Sequence, residues 1–295
     1  MKLVCFDEYR IGVVIDGAVR DVTDVIPSAL DALPAHRMNW LIANWSDAAD
    51  AVGIMASRGG GRPLAEVRLR TPVPRPGHVF AAPANYRSHI GELKERAVTK
   101  AGRSAREQGF FLKAPGSVVG AHDEIVLPKG SGRRFDHESE LAVIVGRAGR
   151  NVSRASALDH VFGYACLMDI TMRIEPGTGE EERSMRKSFS SFTPIGPWIV
   201  TADEVGDPGE LANQLYVNDD LRQDANTSDM IVDVAELIEL VSSVLPIEPG
   251  DIIATGTPAG VGQIVAGDRV RIVIERVGEM ALNVVEADHV APRAY

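Results

Sequence analysis

Three carboxylates in the stretch from Phe135 to Arg173 are the residues of this chain best suited to chemistry. Glu138 and Glu140, one residue apart, open the apolar, β-branched run Leu141-Ala142-Val143-Ile144-Val145-Gly146, which predicts a buried strand. Residues two apart on a strand face the same way, with Cα atoms about 7 Å apart at roughly 3.3 Å rise per residue. Both glutamates therefore point to one side. Asp169 closes a second apolar run, Val161 to Met168, which follows a helix predicted over Ser153 to His160. An acid at the end of a buried run is costly unless it is paired or bound to a cation. Three carboxylates with no thiol among them describe a hard, all-oxygen site suited to Mg²⁺, Mn²⁺ or Ca²⁺. The competing reading puts Glu138 and Glu140 on the wet face of an amphipathic strand. Apolar residues at both parities after Glu140 weigh against it.

A second constellation lies upstream. If a helix starts near Tyr86, His89 and Glu92 fall at i and i+3 and meet on one face. A carboxylate beside an imidazole fixes its tautomer and raises its basicity, as a water-activating base requires. A surface helix pair is the alternative. Arg87 begins a basic island that runs through Lys94, Arg96, Lys100, Arg103 and Arg106 to Lys113. Such a segment could close over an anion or be a solvated loop.

The elements that must position these groups read as mostly strand. Arg10 to Ile15 and Ala18 to Val22 flank Asp16-Gly17, a strong hairpin signal. Ser46 is placed to cap a helix over Asp47 to Ser57, and the proline-rich Thr71 to Gly77 reads as a linker. Phe110 to Gly120 is expected as a strand, Ile174 to Arg186 as a loop, and Leu215 to Gln223 as a second hairpin. Asp233 and Glu236 begin a helix whose apolar positions Val234, Leu237, Ile238, Val241 and Leu245 follow the helical period. Pro249 to Gly262 is a strand entering a glycine-rich turn, and Arg269 to Ile274 is expected as the last strand. No Gly-Lys-Ser/Thr follows that turn, so it is not a phosphate loop.

Composition narrows the function. With 295 residues, 45% of them hydrophobic, the chain can build one large core. A net charge of -10 argues against nucleic acid as a general partner. No run approaches the roughly 18 apolar residues of a membrane span. Acids near the N-terminus and only two cysteines, Cys5 and Cys166, predict a cytoplasmic protein without a disulfide framework.

Asn85-Tyr86-x-x-His89-x-x-Glu92, Glu138-x-Glu140-Leu-Ala, Gly163-Tyr164 leading to Asp169 and Arg173, Lys187-Ser-Phe, Gly196-Pro197-Trp198 and Thr255-Gly256-Thr257-Pro258-Ala259-Gly260-Val261-Gly262 occur in this order. The ordered set resembles the fumarylacetoacetate hydrolase superfamily, in particular its acylpyruvase-like and fumarylpyruvate hydrolase-like members. The resemblance implies an α+β, predominantly β fold of mixed β-roll type over residues 71–295, with a small β-containing domain over 1–70 and a homodimeric assembly. It implies Mg²⁺ or Mn²⁺ on Glu138, Glu140 and Asp169, with Ca²⁺ able to stand there in crystals. It also implies a water-activating dyad of His89 and Glu92, with Lys187 beside the metal. Arg173, Lys113 and Thr257, together with Arg87 of the basic island, would meet an anionic oxo-acid substrate.

The activity implied is hydrolysis of a carbon-carbon bond in a 2,4-dioxo acid of acylpyruvate or fumarylpyruvate type, through an enolate that the cation and Lys187 stabilise. The alternatives are an oxaloacetate-type decarboxylase, a hydroxydienoate isomerase, and a non-catalytic metal-dependent binder. The chain departs from the usual pattern at Met168-Asp169-Ile170-Thr171, at Ser190-Ser191, and in the Ile174 to Arg186 segment, which lacks a glutamine often found after the arginine. The contacts to the distal half of a substrate therefore cannot be carried over.

Overall fold

The computed structural model describes residues 1–89, 91, 103–174 and 182–290. Apolar residues at both parities leave a strand no wet face, so the run after Glu140 must lie inside a sheet. Ser139–Val145 is buried along its whole length. It pairs antiparallel with Val161–Met168 on one side and with Ile252–Ala254 on the other. Val161–Met168 continues to Thr193–Thr201 and then to Lys2–Phe6. Ile252–Ala254 pairs in parallel with Val79–Ala81, which pairs antiparallel with Phe111–Lys113. These strands belong to an eleven-stranded mixed sheet, and the described residues also form a three-stranded and a five-stranded sheet. The predominantly β, mixed-sheet architecture expected from the resemblance is the one present.

The period of two along the central strands divides their side chains between two cores. Leu141, Val143, Val145, Tyr164, Cys166 and Met168 face the core shared with the five-stranded sheet and the helix Val234–Val244. Ala142, Ile144, Ala165 and Leu167 face the other, which is roofed by the helices Arg37–Ala43 and Trp45–Ser57. The N-terminal hairpin forms as expected, with Asp16 and Gly17 at φ 49° and 75°. Its neighbour Lys2–Phe6 hydrogen-bonds to Thr193–Thr201, so one sheet runs through residues on both sides of position 70.

What positions the acids is a joint between two sheets. Phe135–His137 pairs with Thr171–Met172 and with Gly262–Ile264 in the three-stranded sheet. From Phe135–His137 to Ser139–Val145 the chain crosses to the large sheet with only Glu138 between. From Val161–Met168 to Thr171–Met172 it crosses back with only Asp169 and Ile170 between. The Thr255–Val261 turn makes the third crossing, from Ile252–Ala254 to Gly262–Ile264. The three crossings are adjacent: Asp169 N–H donates to Glu138 O at 2.9 Å and Thr255 N–H to Leu141 O at 3.1 Å.

Several local expectations change. The helix Trp45–Ser57 begins before Ser46, and Asn44 at its N-cap makes no side-chain cap bond. Arg154–His160 winds as a 3₁₀ helix. Phe110 to Gly120 breaks into Phe111–Lys113 and Val118–Val119 around Pro115–Ser117, because proline has no N–H for a ladder. Arg183–Arg186 forms one helical turn where a loop was expected. Gly278–Val290 follows Arg269–Ile274 and pairs with it, so the latter is not the last strand. Asp233 does cap its helix, accepting from Glu236 N–H at 2.8 Å.

Candidate metal centre

Glu138, Glu140 and Asp169 converge at the joint, each offering a carboxylate oxygen within 4.8 Å of the others. All three are buried, at 4%, 1% and 1% exposure. Glu140 Oε2 accepts from the N–H of Gly256 at 2.7 Å. Gly256 has φ 92°, and a Cβ there would lie 2.6 Å from Asn85 Cβ, so both conformation and space demand glycine.

Cations surround two of the three acids. Lys187 Nζ donates to Asp169 Oδ2 at 2.6 Å, Glu138 Oε2 at 2.7 Å and Thr171 Oγ1 at 2.6 Å, which uses all three ammonium protons. Lys113, 1% exposed, donates to Asp169 Oδ1 and to Phe192 O. Arg173 donates to Glu138 Oε1 and to Asp136 Oδ2, both at 2.7 Å. Asp136 is further held by Arg134 at 2.7 Å.

The electrostatics follow from this layout. Burial opposes ionisation of Glu138, but Lys187 and Arg173 outweigh it and hold the carboxyl well below the usual range. Burial pushes Glu140 up, and the negative charges of Asp169 and Glu138 push it further. Burial pulls Lys113 down against the opposing pull of Asp169. Glu140 is thus the acid whose charge the described side chains leave least balanced. A divalent cation on the three acids removes that imbalance. Hard oxygen donors at these separations, with metal-oxygen bonds of about 2.0–2.6 Å, fit such an ion.

The remaining expected residues fall at different depths. His89 is 4% exposed, and its ring lies in electrostatic reach of Glu138. Its segment is anchored by Asn85, which donates to Val232 O and Thr255 O at 2.8 Å and accepts from Val232 N–H at 2.9 Å. Glu92 lies outside the described residues. Arg87 is exposed and is not brought to the buried acids. Thr257 is buried on the crossing turn, its Oγ1 accepting from Gln223 Nε2 at 2.8 Å. A surface cleft of about 700 Å³ between Arg68, His122, Asp123 and Asn283 contains none of these residues.

Three residues were not anticipated. Asp136 continues the alternation of Glu138 and Glu140 and could have been found from it. Gln223 carries no local signal. It is fully buried in a hairpin strand and bonds to Ser139 N–H, Thr257 Oγ1 and Pro258 O at 2.9, 2.8 and 2.9 Å. Arg183 lies in the segment expected as a loop, with its guanidinium 5.4 Å from the Phe111 ring centroid.

The profile for the fumarylacetoacetate (FAA) hydrolase C-terminal domain matches residues 78–285. Maleylpyruvate hydrolase of Aquipseudomonas alcaligenes is 41% identical over 292 residues, covering 96% of this chain and 99% of that protein. A crystal structure of maleylpyruvate hydrolase from Sphingobium sp. SYK-6, in complex with manganese(II) ion and pyruvate, superposes with a TM-score of 0.83 at 42% identity, covering 98% of this chain and 100% of the other. A probable 2-hydroxyhepta-2,4-diene-1,7-dioate isomerase from Mycobacterium abscessus gives a TM-score of 0.79 at 28% identity over 98% of this chain and 99% of the other.

Proposed function

This chain belongs to the fumarylacetoacetate (FAA) hydrolase family, and from that premise we propose how it works. It is a divalent-metal-dependent hydrolase that cleaves a carbon-carbon bond in an acylpyruvate-type 2,4-dioxo acid. The observation that carries this reading is the buried trio of Glu138, Glu140 and Asp169, in a chain 42% identical to a hydrolase that binds manganese and pyruvate. Mg²⁺ or Mn²⁺ is the proposed cation, with Glu138, Glu140 and Asp169 as its ligands. Bound there, the cation supplies Lewis-acid polarisation of a 2-oxo carboxylate.

The protein's own groups supply the rest. His89 takes a proton from water, with Glu92 as its proposed partner, and the water oxygen adds to the carbonyl of the acyl group. The bond between that carbon and the pyruvyl methylene breaks, its electron pair stays on the methylene, and a proton is returned there. The products are pyruvate and a second acid. Lys187, held against Glu138 and Asp169, stabilises the developing negative charge. The Thr257 hydroxyl accepts from Gln223, which leaves its own proton to meet a substrate oxygen. Lys113 and Arg173, like Lys187, are paired with Asp169, Asp136 and Glu138 and are proposed to meet the anionic substrate beside them. Arg87, being exposed, can meet only an incoming anion.

The isomerase relative favours a second reading on the same centre, in which His89 shuttles a proton without adding water. Incubation of the Mn²⁺-loaded protein with acylpyruvates separates the two: stoichiometric pyruvate release supports the hydrolase, while double-bond migration without release supports the isomerase. We also propose a cytoplasmic homodimer that does not bind nucleic acid. The net charge of -10 supports the last point, and no helix among the described residues is long and apolar enough to cross a membrane. The family profile begins at residue 78, which supports reading 1–70 as a small unit added to a catalytic domain over 71–295.

A further inference from the structure

We propose that Asp136 is a positioning residue for the metal centre: it takes one end of the Arg173 guanidinium, so that Arg173 cannot close on both oxygens of Glu138. This rests on the reading of Glu138, Glu140 and Asp169 as cation ligands, and it specifies what keeps one of those ligands open.

The Nε and Nη2 donors of an arginine lie on one edge of its planar fork, and a single carboxylate can grip that edge with both oxygens. In Arg173 the edge is divided between two acids. Nε donates to Asp136 Oδ2 and Nη2 to Glu138 Oε1, each at 2.7 Å. Glu138 Oε2 is thereby left to Lys187 Nζ, which reaches it at 2.7 Å, and to a cation. With no rival for Nε, a fuller pair with Glu138 becomes open to the guanidinium. Both oxygens of Glu138 would then turn to Arg173 and away from the centre.

Asp136 is built to hold its end. It is 1% exposed, and its strand Phe135–His137 is paired on both sides, with Asp136 opposite Thr171 and Gln263. Arg134 Nε holds Oδ1 at 2.7 Å, so Asp136 in turn does not take the whole edge of Arg173. The main chain of Arg173 is fixed independently, its N–H donating to Arg134 O at 2.8 Å and its carbonyl accepting from Arg133 Nη2 at 2.6 Å. Loss of the Asp136 charge therefore lets the guanidinium swing without releasing the residue. Charges alternate along the line Arg134, Asp136, Arg173, Glu138, Lys187. Asp136 and Glu138 are each shared between two cations, and neither is captured by one.

The test is Mn²⁺ titration of the metal-free protein by calorimetry. Asp136→Asn, which keeps the shape and one acceptor, should bind Mn²⁺ about 10-fold more weakly than wild type, the worth of one charge-assisted bond redirected onto a ligand. In an Arg173→Met background no guanidinium can close on Glu138, so the same substitution should change the affinity by less than about twofold. Arg134→Met removes an exposed side chain and lets Asp136 take the whole edge of Arg173, so it should bind Mn²⁺ as tightly as wild type or more tightly. Unchanged affinity in Asp136→Asn overturns the proposal. So does an equal loss in both backgrounds, which would make Asp136 a through-space charge or a strut of the three-stranded sheet. Weaker binding by Arg134→Met than by wild type overturns it as well, and that result stands even if Asp136→Asn does not fold. Absence of Mn²⁺ binding by wild type would instead remove the metal-centre reading, and this inference with it.

Discussion

The backbone N–H of Gly256 reaches Oε2 of Glu140 at 2.7 Å across 116 residues of sequence. The contact exists because the turn after Ile252–Ala254 crosses between sheets beside the strand that carries Glu140. Gly256→Ala is expected to destabilise the protein by about 2 kcal/mol or more, from left-handed strain and the approach to Asn85 Cβ. Metal affinity should fall as well, since Glu140 loses its orienting donor. Thermal unfolding and Mn²⁺ titration of the variant measure both effects. An unchanged midpoint with unchanged affinity would mean that the turn does not hold the acid.

Lys187 competes with a cation for the same two carboxylates. Its removal leaves Glu138 and Asp169 with more net negative charge, so Lys187→Met should bind Mn²⁺ at least as tightly as wild type. Turnover should nevertheless drop about 10²-fold or more, because the group that meets developing charge is gone. Opposite signs in these two measurements are the signature. Weaker metal binding in Lys187→Met would make the lysine a support for the ligands and not a partner in the reaction.

The cluster of three acids was legible because burial makes such groups expensive. Glu138 and Glu140 alternate at the head of an apolar run, although the strand itself begins only at Ser139, Asp169 ends a second apolar run, and unpaired buried acids call for a cation whatever the fold. Lys187 was expected beside them through the family pattern, whereas Lys113 and Arg173 were expected at the substrate; their pairing with Asp169 and Glu138, 56 and 35 residues away, had no local signal. The joint itself had no sequence signal: Phe135–His137, Thr171–Met172 and Gly262–Ile264 are too short to show a period. Arg183 was missed for a related reason. A polar stretch reads as a loop whether or not one of its arginines turns inward.

Glu140 also separates function from stability. The metal-free protein carries this acid among like charges, so Glu140→Gln should keep or raise the unfolding midpoint without metal while abolishing the gain on adding Mn²⁺. Wild type should gain about 2.7 kcal/mol at a free metal concentration a hundredfold above the dissociation constant. Scanning calorimetry of both proteins, with chelator and then with Mn²⁺, gives the four values needed. A glutamine variant still stabilised by Mn²⁺ to the wild-type extent would take Glu140 out of the ligand set.

Gln223 ties the head of the Glu140 strand, next to the Glu138 crossing, to the Thr257 turn with one side chain. Its carbonyl accepts from Ser139 N–H at 2.9 Å and faces His137 Nδ1 at 3.3 Å, while its amide donates to Thr257 Oγ1 and Pro258 O. Gln223→Leu fills similar volume but leaves those buried groups unsatisfied. Each orphaned group costs about 1–3 kcal/mol, so a loss of several kcal/mol is expected, beyond what an exposed polar substitution gives. Gln223→Glu discriminates further. It can still accept from Ser139 but cannot donate to Thr257, so the Thr257 proton turns back toward the carboxylate. The substrate KM should then rise more than kcat falls, with Mn²⁺ affinity little changed. Equal loss of kcat and metal affinity in Gln223→Glu would show that the residue only holds the strands together and has no part in aiming Thr257.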